Sequence, residues 1–512
     1  MTSVDNLVIG GGICGTYVAA RHINLAPTES VVVVDKLDDY GGTMLSYNIP
    51  DTDIVLEYGA IRYYKSIHPR VNFLVEKYKI PVTEYLPSSD GQVFYLRGKR
   101  FKPENLFPDS DSVYNIREDE KGINPFGVVV QNIFKYIENP TDLDVLIKRI
   151  ELFKNPTLSS YIFKDLAQGT LSQENWQRVV DIVGYNDILD IRASFLINAL
   201  EFTTLENKVS TQYRLTNGYN TLPKTIAKNN GLVPIELSEL NEKTTECNKY
   251  ITLFKTEVLD ITWEYNIKKW KIILGQVNVE SPEDTQSTPY LIKEIYATRI
   301  YSTIPTQYLY NINILNKSYL DLIRYNYIPV HLARYYLVFE YDWMSEDGIG
   351  FGKSTTTLDG AQLIHYAPKV LQIYATDALA SKIDGLLPLN KQLQLEVIPT
   401  FPEAQPFIDT LLSTVKEVFG KEVLPKVTGF SYCSWVNCAK VLSNRNLQTQ
   451  QVTSLYDTIQ QICYPFGKQG NFYVVDNATS FNTTWAEGSL EIIDFLFNQL
   501  YNQPLFGENL IK

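Results

Sequence analysis

The first informative pattern lies in residues 4 to 35, VDNLVIGGGICGTYVAARHINLAPTESVVVVD, where two apolar runs flank a glycine break and a mixed segment. Leu7 to Ile9 predicts a buried strand and Val31 to Val34 a second, with a helix between them. Gly10, Gly12 and Gly15 fill G-x-G-x-x-G: the first for a tight turn, the second for backbone approach to a pyrophosphate, the third for helix–strand packing. A diphosphate would then meet exposed N–H groups at the helix start. Asp35 follows the second strand, twenty residues beyond Gly15. A carboxylate there can accept both hydroxyls of an adenosine ribose, which suits FAD or NAD and repels a 2′-phosphate. Glycine turns also join strands to helices for packing alone, so the motif needs support from the rest of the chain.

Further along, Gly41-Gly42-Thr43 marks a bend, and Leu56 to Tyr64 begins as a strand before a turn. Residues 66 to 80 read as a helix with Val71, Leu74, Val75 and Tyr78 on one side. From 126 to 207 apolar positions recur at helical spacing (Val128, Ile133, Tyr136; Leu143, Ile147, Ile150), with breaks at Asn139-Pro140 and Gly169, which predicts a helical insertion. Strand patterns return at Tyr250 to Phe254, Val258 to Trp263 and Trp270 to Leu274, with a hairpin turn near Lys268-Lys269. Residues 280 to 289 read as an exposed polar loop. Ile295 to Ile304 predicts a buried strand halted by Pro305, and Ile328 to Trp343 a long one. A final helix over Trp485 to Leu500 carries Leu490, Ile493, Phe497 and Leu500 in steps of three and four. No internal repeat is evident.

The 512 residues exceed what one core sustains, so two or three domains are expected, interleaved because late strands must complete the first sheet. Hydrophobic (45%) and charged (20%) content is ordinary for a globular chain. The net charge of −12, without a basic cluster, argues against nucleic acid as a partner. Five scattered cysteines and four histidines give little for a metal site, so none is expected, and the cysteines read as free thiols in a reducing compartment. No leader precedes the first strand and no apolar run approaches the roughly 18 residues of a membrane span, so a cytoplasmic chain without a membrane partner is expected. Abundant Tyr, Asn and Ile fits an AT-rich genome, such as that of a protist or a large DNA virus.

Several segments, in order, resemble the flavin-containing amine oxidase superfamily, and within it most closely the L-amino-acid oxidases. They are the glycine motif with Gly41-Gly42, LEYGAIRYY (56 to 64), GQVFYLRGKRF (91 to 101), NGYNTLPKTIA (217 to 227), IYSTIP (300 to 305), FGKSTTTLDGAQLIHYAP (351 to 368) and FYVVDNATSFNTTWAEGSL (472 to 490). The segment 351 to 368 is the one closest to L-amino-acid oxidases. The resemblance implies an α/β fold: a Rossmann-like FAD-binding domain of the GR2 type, an interleaved α+β substrate domain and a helical insertion. It divides the chain into an FAD-binding part (1–65, 208–285 and 428–512), a substrate part (66–125 and 286–427) and the insertion (126–207).

The resemblance further implies non-covalent FAD, held by Gly10, Gly12, Gly15, Asp35, Gly42, Gly59, Ala60, Arg62, Val258, Asn477 and Trp485. Arg62 and Tyr366 correspond to the groups that bind a substrate carboxylate, and Trp485 to an aromatic wall beside the flavin ring. Each keeps a plainer alternative: Arg62 as an ion-pair partner of Glu57, Tyr366 and Trp485 as packing. The helix starting near Trp485 to Gly488 would point its positive end at the reduced flavin, or serve only to close the fold. The implied activity is oxidation of an amino acid or amine, with molecular oxygen as second substrate, giving 2-oxo acid, ammonia and hydrogen peroxide; a homo-oligomer is left open. Four departures stand against it. Ala333, or Arg334 one residue on, occupies the place of a family lysine; Asp476-Asn477 replaces Gly-Glu; Thr43 replaces an arginine; and Gly218-Tyr219-Asn220 varies Gly-Met-Asp. They keep open a catalytically reduced relative with a structural or interaction role. A sugar mutase on the same fold would need cations for a sugar-nucleotide diphosphate that the sequence does not reveal.

Overall fold

The computed structural model describes residues 1–65, 68–85, 90–125, 170–183, 211–279, 288–311, 313–358, 361–389, 391–442, 454–482 and 485–505, with positions 128, 153 and 154. Most of the expected helical insertion and of the 280–289 loop lies outside the described residues; within the former, Gln173–Val183 is a helix.

Four consecutive valines, Val31–Val34, are all buried, as a central parallel strand covered on both faces requires. They pair in parallel with Ser3–Ile9 on one side and Tyr250–Leu253 on the other. Ser3–Ile9 in turn pairs with Leu291–Ser302, which also receives the late strand Phe472–Val474. An antiparallel hairpin, Thr256–Glu264 with Lys269–Gln276, extends the far side, and Val233–Ile235 forms the opposite edge. Lys268 takes a positive φ of 53° in the hairpin turn, close to where the sequence placed it. The helix Ile13–Leu25 is buried over nearly all its length because the C-terminal helix, Ala486–Tyr501, covers it. Tyr17 Oη donates to Asp494 Oδ1 across that contact at 3.0 Å.

A second sheet runs in the order Leu393–Pro399, Val427–Leu442, Tyr327–Phe339, Val370–Thr376, Gln362–Ala367, Gly352–Thr356, Phe94–Leu96 and Lys99–Phe101. The helix Gln405–Phe419 lays Phe407, Ile408, Leu411, Val415 and Val418 on one face and ends at Gly420, whose φ of +68° is left-handed. Two small sheets join the halves: Ser46–Asn48 with Val55–Glu57, and Tyr63–Tyr64 with Gln212–Leu215 and Val82–Tyr85.

Four expectations need correction. The strand Leu291–Ser302 belongs to the nucleotide-binding sheet, so the boundary at 286 falls before it, not after. Val427–Leu442 belongs to the second sheet, so the segment from 428 returns to the first half only beyond it. The long strand ends at Phe339, and Trp343 starts a short helix capped by Asp342, whose side chain accepts from Ser345 N. The helix expected over 66–80 spans Pro69–Lys77 and docks on the C-terminal helix.

Candidate functional site

A cleft opens at the carboxyl ends of the parallel strands, the place where open α/β sheets take ligands. Its walls include Gly10, Gly12, Asp35, Lys36, Gly42, Thr43, Val258, Thr303, Tyr308, Asp476, Asn477 and Ser489. One cleft thus joins the glycine turn and Asp35 to the first residues of the C-terminal helix. Of the residues proposed from sequence to hold a cofactor, Gly10, Gly12, Asp35, Gly42, Val258 and Asn477 lie on these walls, and Gly15, Gly59, Ala60, Arg62 and Trp485 do not; Tyr366, proposed for the substrate carboxylate, is not on them either. Lys36, Thr303, Tyr308 and Ser489 were not singled out from sequence, although Thr303 and Ser489 fall within the segments 300 to 305 and 472 to 490; Thr303 follows a strand end and Ser489 lies in the first turn of the C-terminal helix.

The glycines divide by what a side chain would meet. At Gly15 a Cβ would come within 1.8 Å of the Gly10 carbonyl oxygen, so this position is fixed by packing inside the turn. At Gly12 nothing lies nearer than 3.6 Å, so the wall there is bare backbone that a ligand can approach. This cradle at a helix start fits a diphosphate. Asp35 Oδ2 accepts from Gly11 N at 2.5 Å and Oδ1 from Leu37 N at 2.8 Å, which holds the carboxylate at the cleft edge. Burial pushes its pKa up, and those two N–H groups pull the other way.

At the far end Asp476 does not extend across the cleft as free bulk. Its Oδ1 accepts from Thr479 N at 2.9 Å, capping the short turn Asn477–Thr479. Asn477 Nδ2 donates to Trp485 O at 2.7 Å and to Ser489 Oγ at 3.0 Å, so it pins the start of the C-terminal helix. Trp485 caps that helix, and its ring lies 4.5 Å from His68 and 6.0 Å from Tyr64. Arg62 Nε donates to Tyr64 Oη at 3.2 Å. Arg62 and Trp485 are therefore gathered around Tyr64, just beyond the cleft's inner end. His68 Nδ1 accepts from Tyr64 N at 3.2 Å, which leaves the proton of the neutral ring on Nε2.

Tyr366 is buried and donates its hydroxyl to Val55 O at 2.6 Å. The Glu57 carboxyl accepts from Ser46 Oγ at 2.5 Å and Tyr219 N at 2.9 Å, two partners other than Arg62, which the plainer alternative paired with it. Burial pushes Glu57 up to about 8, against those hydrogen bonds. On the long strand, Ala333 faces the core beneath the helix Gln405–Phe419, together with Tyr335, Leu337 and Phe339. Arg334 points to the opposite face and donates to Glu57 O at 2.8 Å. The two alternatives for the family lysine thus face opposite sides of the strand, Ala333 the core and Arg334 the Glu57 carbonyl.

Behind the helix start lies a network without a sequence signal. Arg21 pairs with Asp494, and Arg70 reaches Asp494 at 2.6 Å, Glu487 at 3.2 Å and Glu491 at 3.7 Å. The backbone N–H groups of Arg70 and Val71 also donate to Glu487, closing the end of the helix Pro69–Lys77. Burial pushes Glu487 up to about 7, while Arg70 opposes it.

The fold is shared with solved amine oxidases. Residues 8–78 match the model of an NAD(P)-binding Rossmann-like domain. Putrescine oxidase, solved with putrescine bound, superposes with a TM-score of 0.63 at 12% identity, over 98% of this chain and 99% of that one. Cyclohexylamine oxidase from Brevibacterium oxydans gives 0.62 at 12% identity, over 95% and 96%. In sequence, an uncharacterized protein of Acanthamoeba polyphaga mimivirus is 22% identical over 97% of this chain and 94% of its own length. Achacin from Lissachatina fulica is 31% identical over 23% of each. Among the described residues no helix is long and apolar enough to cross a membrane.

Proposed function

We propose that the protein is an FAD-dependent oxidase of an amino acid or related amine, using molecular oxygen and giving an oxo product, ammonia and hydrogen peroxide. The observation that carries this reading is the single cleft from Asp35 and Gly10 to Asn477 and Ser489. It is the shape required by a long ligand with a nucleotide at one end and a ring at the other. Bound without a covalent link, FAD would supply acceptance of a hydride from the carbon bearing the amine.

The chain's own residues would do the rest. Backbone N–H groups at the start of Ile13–Leu25 hold the diphosphate, and Asp35 holds the ribose. The N-terminus of the 16-residue C-terminal helix sets a positive potential against charge that develops on the ring. Trp485, backed by His68 and Tyr64, walls the substrate space and excludes water. Arg62 orients a substrate carboxylate through its planar pair of donors. Tyr366 acts through position, because its hydroxyl already serves Val55 O.

The test is direct. A yellow preparation with flavin absorbance, bleached anaerobically by an amino acid or amine, is the expected result. Colour that no such compound bleaches would favour the structural or interaction role, and a colourless protein that FAD cannot reconstitute would end both flavin readings.

A further inference from the structure

Beyond Arg62 the interior turns cationic. Arg214 stacks on the Tyr85 and Tyr366 rings, with its Cζ 3.7 Å and 4.6 Å from their centroids. Arg334 comes from the neighbouring strand face. Tyr366 lies within electrostatic reach of both arginines, and Tyr219 within reach of Arg62 and Arg214. Among the described residues neither Arg214 nor Arg334 makes an ion pair. Arg334 Nη1 is given to the Glu57 carbonyl, and Arg214 Nε is buried with no hydrogen-bond partner. The Tyr219 side chain is 0% exposed, and its hydroxyl has no partner either. The nearest carboxyl, Glu57, has both oxygens occupied by Ser46 and Tyr219 N. Its raised pKa makes it a weak counter-charge at neutral pH.

Arg214 and Arg334 are half-buried and engaged by tyrosine rings and the Glu57 carbonyl, but Arg214 Nε and the Tyr219 hydroxyl are donors buried without an acceptor, which is costly unless something completes them. A carboxylate does so, because it accepts from planar guanidinium groups and from a phenol at once. Resting on the reading of Arg62 as the clamp for the substrate's own carboxylate, we propose that Arg214, Arg334 and Tyr219 form a second carboxylate subsite. The substrate is then an acidic amino acid carrying a further carboxylate on its side chain. A diamine or a basic amino acid would set like charges together, and an apolar side chain would leave the buried donors unmatched.

Titration calorimetry of the purified protein with glutarate and with butyrate reads the subsite without turnover. Glutarate is expected to bind about tenfold or more tightly. Arg214→Gln should remove that preference while changing butyrate affinity by less than about threefold. Arg334→Gln should act alike; Arg334→Lys keeps the charge and should retain most of the preference if the glutamine variant has merely lost its bond to Glu57 O. Equal binding of the two acids, or equal loss of both in Arg214→Gln, overturns the subsite. Anaerobic bleaching by L-glutamate or L-aspartate ahead of L-leucine, L-lysine and putrescine is expected as well. Preference for leucine, lysine or putrescine overturns the inference and leaves the oxidase reading standing. Tight glutarate binding with no bleaching by any of them supports the subsite and removes the oxidase reading.

Discussion

At the scale of single residues, Gly12 and Gly15 separate two duties that one motif conceals. Gly15→Ala drives a methyl to within 1.8 Å of the Gly10 carbonyl and should destabilise the protein by about 3 kcal/mol in urea unfolding. Gly12→Ala meets nothing closer than 3.6 Å and should change apoprotein stability by less than about 1 kcal/mol, yet abolish flavin retention. Equal stability losses in the two variants would mean that the motif serves packing alone. Glu57 gives a second test, with a definite sign. Its folded-state pKa of about 8 lies above the unfolded value of 4.5, so its contribution is complete below pH 4.5 and is lost as pH rises through 8. Glu57→Gln should lose less stability than the wild type between about pH 5 and pH 8.5, read from urea midpoints. The glycine spacing and Asp35 were legible because they are local. The register that turns Ala333 into the core and Arg334 toward the Glu57 carbonyl was not, because a one-residue shift inverts a strand's faces and no local signal fixes it.

At the scale of elements, the C-terminal helix was legible through its apolar stripe, but its polar side was not. Arg70 and Asp494 are 424 positions apart and meet only because Pro69–Lys77 docks on Ala486–Tyr501. Two arginines, Arg21 and Arg70, there face three buried carboxyl groups, Glu487, Glu491 and Asp494. Removing Arg70 takes the guanidinium from Glu487 and Glu491 and leaves Arg21 paired with Asp494. Arg70→Ala should therefore cost about 3–5 kcal/mol in urea unfolding and loosen the helix start that Asn477 pins. Glu487→Gln keeps an acceptor for the Arg70 and Val71 N–H groups and should cost distinctly less. If the arginine variant is as stable as the wild type, the network does not hold these helices. The two misplaced domain boundaries have a related origin: Leu291–Ser302 and Val427–Leu442 are simply strands, and nothing in an apolar run says which sheet receives it.

At the scale of the molecule, the cleft is walled by the first 43 residues at one end and by residues from Asp476 onward at the other, so one ligand would tie together the two ends of the chain. Such a ligand is a linked pair of weak binders, and linkage has arithmetic consequences. An adenosine diphosphate half should find Asp35 and the glycine turn, and a riboflavin half the region of Asn477 and Ser489. Joined as FAD, they should bind about 10² to 10⁴ times more tightly than either half, because the second contact forms within the complex. FAD at one hundred times its dissociation constant should then raise stability by about 2.7 kcal/mol. An equimolar mixture of ADP and riboflavin at the same concentration should raise it far less. Thermal unfolding followed by tryptophan fluorescence, with each ligand alone and with the mixture, makes the comparison. If ADP alone matches FAD, the inner end of the cleft contributes nothing to binding, and the continuity on which the flavin reading depends is lost.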